Sequence, residues 1–200
     1  MRPLRSAALL LALAVSIVPA SSAQEKPEQV DMAAMMAQAK KWTQPGDAHK
    51  LLHRFLGTWD TETRLNMPGA PPPEKGTSTC RWLMENRWLQ CEASGQMMGM
   101  PMKTGFILGY NNFKMSYVSA AINSFDTAMI YSEGDLDPSG KALLMYGTLD
   151  EYLTGEHDKM VKSVFRFVSD DEMKLEVHDL PIGESNTQVF EIRYRRQKGG

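Results

Sequence analysis

Two hundred residues with 42% hydrophobic side chains are enough to bury one sizeable core. A formal net charge of -2, from 22 Lys+Arg against 24 Asp+Glu, excludes a nucleic-acid partner held by basic charge. Arg2 and Arg5 precede an apolar run from Ala7 to Val18, and Pro19-Ala20-Ser21-Ser22-Ala23 then offers small residues at cleavage positions. This is the pattern of a secretory signal peptide over residues 1–23, cut after Ala23. A retained anchor would need about 20 apolar residues, and this run is shorter. No cysteine stands at the cut, so lipid attachment is not indicated. The expected mature chain begins at Gln24, is periplasmic or secreted, and has no membrane span. Losing the two arginines takes its net charge from -2 to -4.

Residues 24–46 read as a helical lead. Pro27 suits a first helical turn, apolar positions nearly encircle the run to Trp42, which leaves a docking helix and a partly disordered lead both open, and Pro45-Gly46 ends the run. Asp47 is placed to cap a second, short helix from Ala48 to Phe55, with Leu51, Leu52, Phe55 and Leu56 on its packed side. His49 and His53 stand four apart, a spacing that puts two imidazoles on one α-helical face. Sequence supplies no third ligand, so a solvated face is the expectation and neither metal nor cofactor is assigned.

From Gly57 the period changes to two. Trp59, Thr61, Thr63 and Leu65 alternate with Asp60, Glu62 and Arg64, as in a strand with one buried face. After a Pro/Gly loop at 67–75, further strands are expected near 76–84, 87–96, 103–110, 114–122, 127–135, 141–149, 158–168, 172–180 and 186–196. Turn chemistry separates them, as in Asn111-Asn112, Asp137-Pro138-Ser139-Gly140 and Pro181-Ile182-Gly183. No gap leaves room for a crossover helix. The predicted fold is mainly β, an up-and-down antiparallel barrel of about ten strands over residues 47–200, preceded by one or two helices. A turn centred on Glu85-Asn86 makes Met84 face Arg87, Trp82 face Leu89 and Cys80 face Cys91. The two cysteines are then cross-strand partners at a close, non-hydrogen-bonded pair, which predicts a disulfide in an exported protein. The competing reading is a free dithiol, although redox-active pairs more often read Cys-x-x-Cys.

His49-x-x-Leu52-x-x-Phe55-x-Gly57-x-Trp59, Asn86-Arg87-Trp88-Leu89-Gln90, Met97-Met98-Gly99-Met100-Pro101, Gly109-Tyr110-Asn111-Asn112 and Glu191-Ile192-Arg193-Tyr194 together resemble the domain-of-unknown-function 1579 family, over roughly Gly46 to Arg196. The resemblance implies a lipocalin-like barrel of uncharacterised function. It also marks departures: Asn111 stands where an aspartate is usual, and Ala121 and Asn123 where tryptophan and aspartate are usual. The Gly-x-Trp opening resembles lipocalin-like barrels, in which such a tryptophan closes the floor under an arginine of the last strand. Arg193 and Arg195 are the candidates, although Phe190, Ile192 and Tyr194 look like that strand's inward set.

One face of the fifth strand, Met115, Tyr117, Ser119, Ala121 and Asn123, mixes polar with apolar residues. A mixed inner face suits a ligand cavity, but period alone does not say which face is inner. With Tyr110 and Tyr146 these residues make a candidate wall (Tyr110, Tyr117, Ser119, Asn123, Tyr146) for a small apolar or amphipathic molecule, the expected partner. Met97, Met98, Met100 and Met102 offer soft sulfur ligands for Cu(I), with an adaptable apolar loop as the plainer reading. His178 alternates with Met173, Leu175 and Val177 and should point outward, which disfavours haem. An enzyme using the same cavity would have only Asp126, Thr127 and Asp150 near strand ends, none with a partner at a known spacing. A barrel with a filled core, serving structure or interaction, is the third possibility. Oligomeric state is not legible.

Overall fold

The computed structural model describes residues 31–151, 154–180 and 187–198. The expected signal peptide, the start of the helical lead and the Pro181-Ile182-Gly183 turn lie outside them. The described chain falls into two units divided between Gln38 and Ala39. The first holds the opening of helix α1 (Met32–Thr43), where Asp31 Oδ1 accepts a hydrogen bond from the Ala34 N–H at 3.0 Å and so caps the first turn.

The second unit carries the last turn of α1, a 3-10 helix (Asp47–Phe55) and ten strands. The strands are β1 (Gly57–Leu65), β2 (Glu74–Met84), β3 (Trp88–Met97), β4 (Met100–Asn111), β5 (Ser116–Asn123), β6 (Ile130–Leu136), β7 (Ala142–Glu151), β8 (Glu156–Phe167), β9 (Glu172–Asp179) and β10 (Thr187–Arg196). Each pairs antiparallel with its sequence neighbour, and β1 pairs with β10 to close the barrel. Closure removes the open edges that would otherwise template aggregation. The expected fold is therefore observed, with small boundary differences that have local causes. Strand β5 starts at Ser116 because Met115 takes a left-handed φ of 55° at the end of the preceding turn. Strand β6 waits until Ile130 because Asp126 Oδ1 instead accepts the Ala128 N–H at 2.9 Å, holding a loop.

Alternation assigns the inside. Trp59, Thr61 and Thr63 of β1 share it with Ser78 and Cys80 of β2, Cys91 and Ala93 of β3, Ser119 and Ala121 of β5 and Ile192 and Tyr194 of β10. The β2–β3 register pairs Cys80 with Cys91 and Trp82 with Leu89, as the turn arithmetic requires. A bulge then pairs Met84 with Trp88 rather than Arg87, while the Arg87 N–H still closes the turn onto the Met84 carbonyl at 2.9 Å. The disulfide is formed, and its Cα–Cα separation of 4.0 Å fits the closer class of antiparallel pair.

The 3-10 helix departs from expectation in its cap. Gly46, not Asp47, occupies the cap position; its N–H donates to His49 Nδ1 at 3.0 Å, and Asp47 makes a solvent-exposed ion pair with Lys50. With three residues per turn, positions four apart diverge by about a third of a turn. His49 accordingly meets Tyr110 edge-on, whereas His53 meets Trp82, and the two imidazoles do not share a face.

Candidate functional site

The strand directions put two kinds of end on the barrel. At one, the 3-10 helix and Trp59 plug the lumen; at the other, the β1–β2, β3–β4 and β5–β6 connections surround a mouth. The plug is dense. Leu52 is 0% exposed and Phe55 1%, with Phe55 meeting Phe165 and Phe167 edge-to-face at ring separations of 5.4 Å each. Leu89, Leu108 and Leu143 complete this layer without solvent access.

Trp59 donates its indole N–H to the Phe55 carbonyl at 2.9 Å and lies under the Arg196 guanidinium at 4.0 Å. Arg196 also donates to the Leu56 and Arg54 carbonyls and to Asp170 O. The arginine over the tryptophan is thus Arg196, not Arg193 or Arg195. It continues the inward parity of Ile192 and Tyr194, and its β1 partner in register is Trp59 itself. Gly57 explains the motif's first residue: its φ of +107° is a left-handed value, and a Cβ there would stand 2.8 Å from Arg196 Nη1.

Tyr110 and Tyr117 belong to this plug rather than to an open wall. Their rings meet at 4.9 Å, and the Tyr117 hydroxyl donates to the Ala48 carbonyl at 2.7 Å, tying β5 to the helix. Burial, with smaller contributions from Tyr110 and Asp135, pushes the Tyr117 phenol up to about 12. Burial, and then the charge of Arg87, holds the His49 imidazole below its usual value, so it stays neutral and its Nδ1 accepts from Gly46.

Above the plug lies a cavity of about 280 Å³. Its apolar lining includes Ala93, Phe106, Val161, Leu175, Val177 and Ile192, and the Cys80–Cys91 disulfide forms part of the wall. Ser119 and Asn123 line it, with Ala121 between them, so the mixed face of β5 is the inner one. Tyr146 does not. Met145 takes the inward position on β7, which leaves Tyr146 outside, 46% exposed and paired with Glu133 and Lys162 in register.

Sequence reasoning passed over most of the polar lining: Thr61 and Thr63, Ser78, Thr104, Ser132 and Ser163 also face the cavity. The signal was present as Ser or Thr at inward positions of strands whose neighbours two residues away are apolar, such as Ile130-x-Ser132 and Val161-x-Ser163-x-Phe165. Tyr194 adds a phenol that burial pushes up, so it is a neutral donor. Lys75, exposed at the mouth, is the one charged side chain among the described lining residues.

The rim is organised by local bonds. The two-residue turn Met98-Gly99 has φ values of 54° and 76°, and the Glu74 carboxylate accepts from both N–H groups, at 2.9 and 2.6 Å. Asn123 Nδ2 donates to Asp126 Oδ2 at 2.9 Å and Asn123 Oδ1 accepts the Phe125 N–H at 2.7 Å, so its amide is largely committed to the β5–β6 loop. Lys159 bridges to Asp179 at 2.8 Å, and that hydrogen bond raises its pKa despite burial.

The other candidates separate. Met97 and Met102 line the cavity, while Met98 and Met100 are exposed on the hairpin tip. His178 points outward beside Glu176, at 3.7 Å. Asn111 caps the β4–β5 turn by accepting from Phe113 and Lys114 N–H groups. Asp126 holds its loop, Thr127 is exposed, and Asp150 accepts from the Asp158 N–H beside His157 on another hairpin.

The barrel is similar to solved structures at low sequence identity, which establishes likeness of fold. Rv2717c from M. tuberculosis matches with a TM-score of 0.57 and 12% identity over 78% of this chain and 100% of its own. The S-type phycobiliprotein lyase CPES from Guillardia theta matches with a TM-score of 0.53 and 10% identity over 80% of this chain and 97% of its own. No curated protein matches the chain. The model of a family described as a protein of unknown function, DUF1579, matches residues 44–196, the 3-10 helix and all ten strands included, and the chain belongs to that family.

Proposed function

We propose that this protein is an exported binding protein that holds a small, mainly apolar molecule inside its barrel. The observation that carries the reading is the cavity above the plug, walled by apolar side chains with hydroxyl groups set among them. Ten strands make a lumen wider than one that side chains readily fill, and small residues such as Ala93, Ala121 and Ser119 stand on its wall. At about 280 Å³ it falls just below the usual range of small-molecule sites, which favours a compact ligand. Export is supported by the leader pattern of residues 1–23 and suits the Cys80–Cys91 bond, since structural disulfides persist in oxidising compartments. The test is native mass spectrometry of the protein purified from its own host, beside a variant carrying Ser119→Leu and Ala121→Leu. A co-purifying small molecule in the wild type, lost in a variant that keeps its fold, supports the proposal. A wild type that carries nothing and takes up no environment-sensitive apolar dye refutes it.

A further inference from the structure

The cavity's polar groups are not scattered evenly. Thr61 of β1 and Tyr194 of β10 are direct partners in register, and Ser78 of β2 is partner to Trp59, two residues before Thr61. Ser119 of β5 and Ser132 of β6 are likewise direct partners, with Ser163 of β8 beyond them. In the closed order of ten strands, β1 stands five strands from β6 and β10 five from β5, so Thr61 and Tyr194 face Ser119 and Ser132 from opposite walls, while Ser163, two strands from both β6 and β10, lies between the two groups. Bare wall lies beside the second group: Gly147 of β7 faces Ser132, and a Cβ there would come within 2.5 Å of Ser132 Oγ.

None of the six hydroxyls has a side-chain hydrogen-bond partner among the described residues. Buried hydroxyls are normally bonded, and those that protein does not serve are served by water or ligand. A charge placed between these walls would lose its hydration and meet no counter-charge deeper than Lys75 at the rim.

Resting on the binding function proposed above, we infer that the ligand is an uncharged, compact apolar molecule with hydrogen-bonding groups on two opposite edges, one edge meeting Thr61, Ser78 and Tyr194 and the other meeting Ser119 and Ser132. The apolar body lies against Ala93 and Phe106 of β3 and β4 on one side and Leu175 and Val177 of β9 on the other, sectors in which Thr104 and Ser163 are isolated hydroxyls. A hydroxyl offers both donor and acceptor, so alcohol, phenol and carbonyl edges are all accommodated.

The test uses four probes of one shape on the intact mature protein: naphthalene, 2-naphthol, 2,6-dihydroxynaphthalene and 2-naphthoate, followed by calorimetry or probe fluorescence. The expected order is the diol about tenfold or more tighter than naphthalene, the mono-ol between them and the carboxylate weakest, since each satisfied hydrogen bond adds a few-fold. Thr61→Val and Ser132→Ala, on opposite walls, should each lower diol affinity about three- to tenfold while leaving naphthalene within about twofold. Equal binding of naphthalene and the diol, or tightest binding of the carboxylate, overturns this inference and leaves the cavity function standing. Failure of every probe to bind overturns both.

Discussion

The plugged end and the mouth half of the barrel are made by the same ten strands, in one register, with the same inward alternation. They differ in what the inward positions carry. Toward the plug these are Leu89, Leu108, Leu143, Phe165 and Phe167, which interlock with Leu52 and Phe55 of the 3-10 helix. Toward the mouth they become Ala93, Ser119, Ala121, Ser132 and Ser163. Alternation therefore decides which side chains face inward, and their volume decides whether the interior is filled. Stability should concentrate in the first half and ligand chemistry in the second.

Equal deletions at the two ends test that division most strongly. Phe167→Ala, in the plug and away from the cavity lining, should cost about 3–5 kcal/mol in denaturant unfolding, because it opens a void in a closely packed layer. Phe190→Ala, on the cavity wall, should cost less than about 2 kcal/mol, because space already adjoins it. Equal costs would erase the distinction. The disulfide sits between the halves. Replacing Cys80 and Cys91 together by alanine should lower stability by about 2–3 kcal/mol for its separation of 11 residues, as read from unfolding midpoints.

A pH dependence sharpens the assignment of the plug. The His49 imidazole titrates below its unfolded value of about 6.5, so the unfolded chain binds the extra proton first. Its contribution is complete above that value and is lost as pH falls through the interval down to the folded pKa. His49→Ala should cost about 1–2 kcal/mol at pH 8 and flatten the fall in stability below about pH 6.5. A variant with an unchanged acid limb would remove His49 from that role. The smallest expected effect on stability is at the mouth: Ser119→Leu with Ala121→Leu should shift it by less than about 1 kcal/mol while abolishing dye uptake. A large loss of stability would mean that these positions are already tightly packed.

The strand count, the antiparallel order and the Cys80–Cys91 pairing were legible because period-two alternation and turn residues are local signals. The inward face of β5 was not decided by period, since a mixed face reads the same from either side; closure and the register with β4 and β6 decide it. Tyr146 was misplaced for the same reason, and its neighbour Met145 takes the inner position. The histidine pair misled because four-residue spacing means one face in an α-helix and different faces in a 3-10 helix. The arginine over Trp59 depended on a pairing 137 positions away in sequence, Trp59 with Arg196, which no local pattern carries. The opposed hydroxyl walls needed the closed strand order before scattered serines and threonines became two groups.

The methionines allow the central claim, a filled plug beside a ligand-accepting mouth half, to be measured directly. Met97, Met102, Met145 and Met173 line the cavity, whereas Met84 and Met115 are exposed where β2 and β5 meet the plugged end. With methionine methyl groups labelled with ¹³C, titration of 2,6-dihydroxynaphthalene should shift Met97, Met102, Met145 and Met173 saturably and in common, leaving Met84 and Met115 in place. Shifts confined to Met84 and Met115, or no saturable shift at the four lining methyls, would contradict the account.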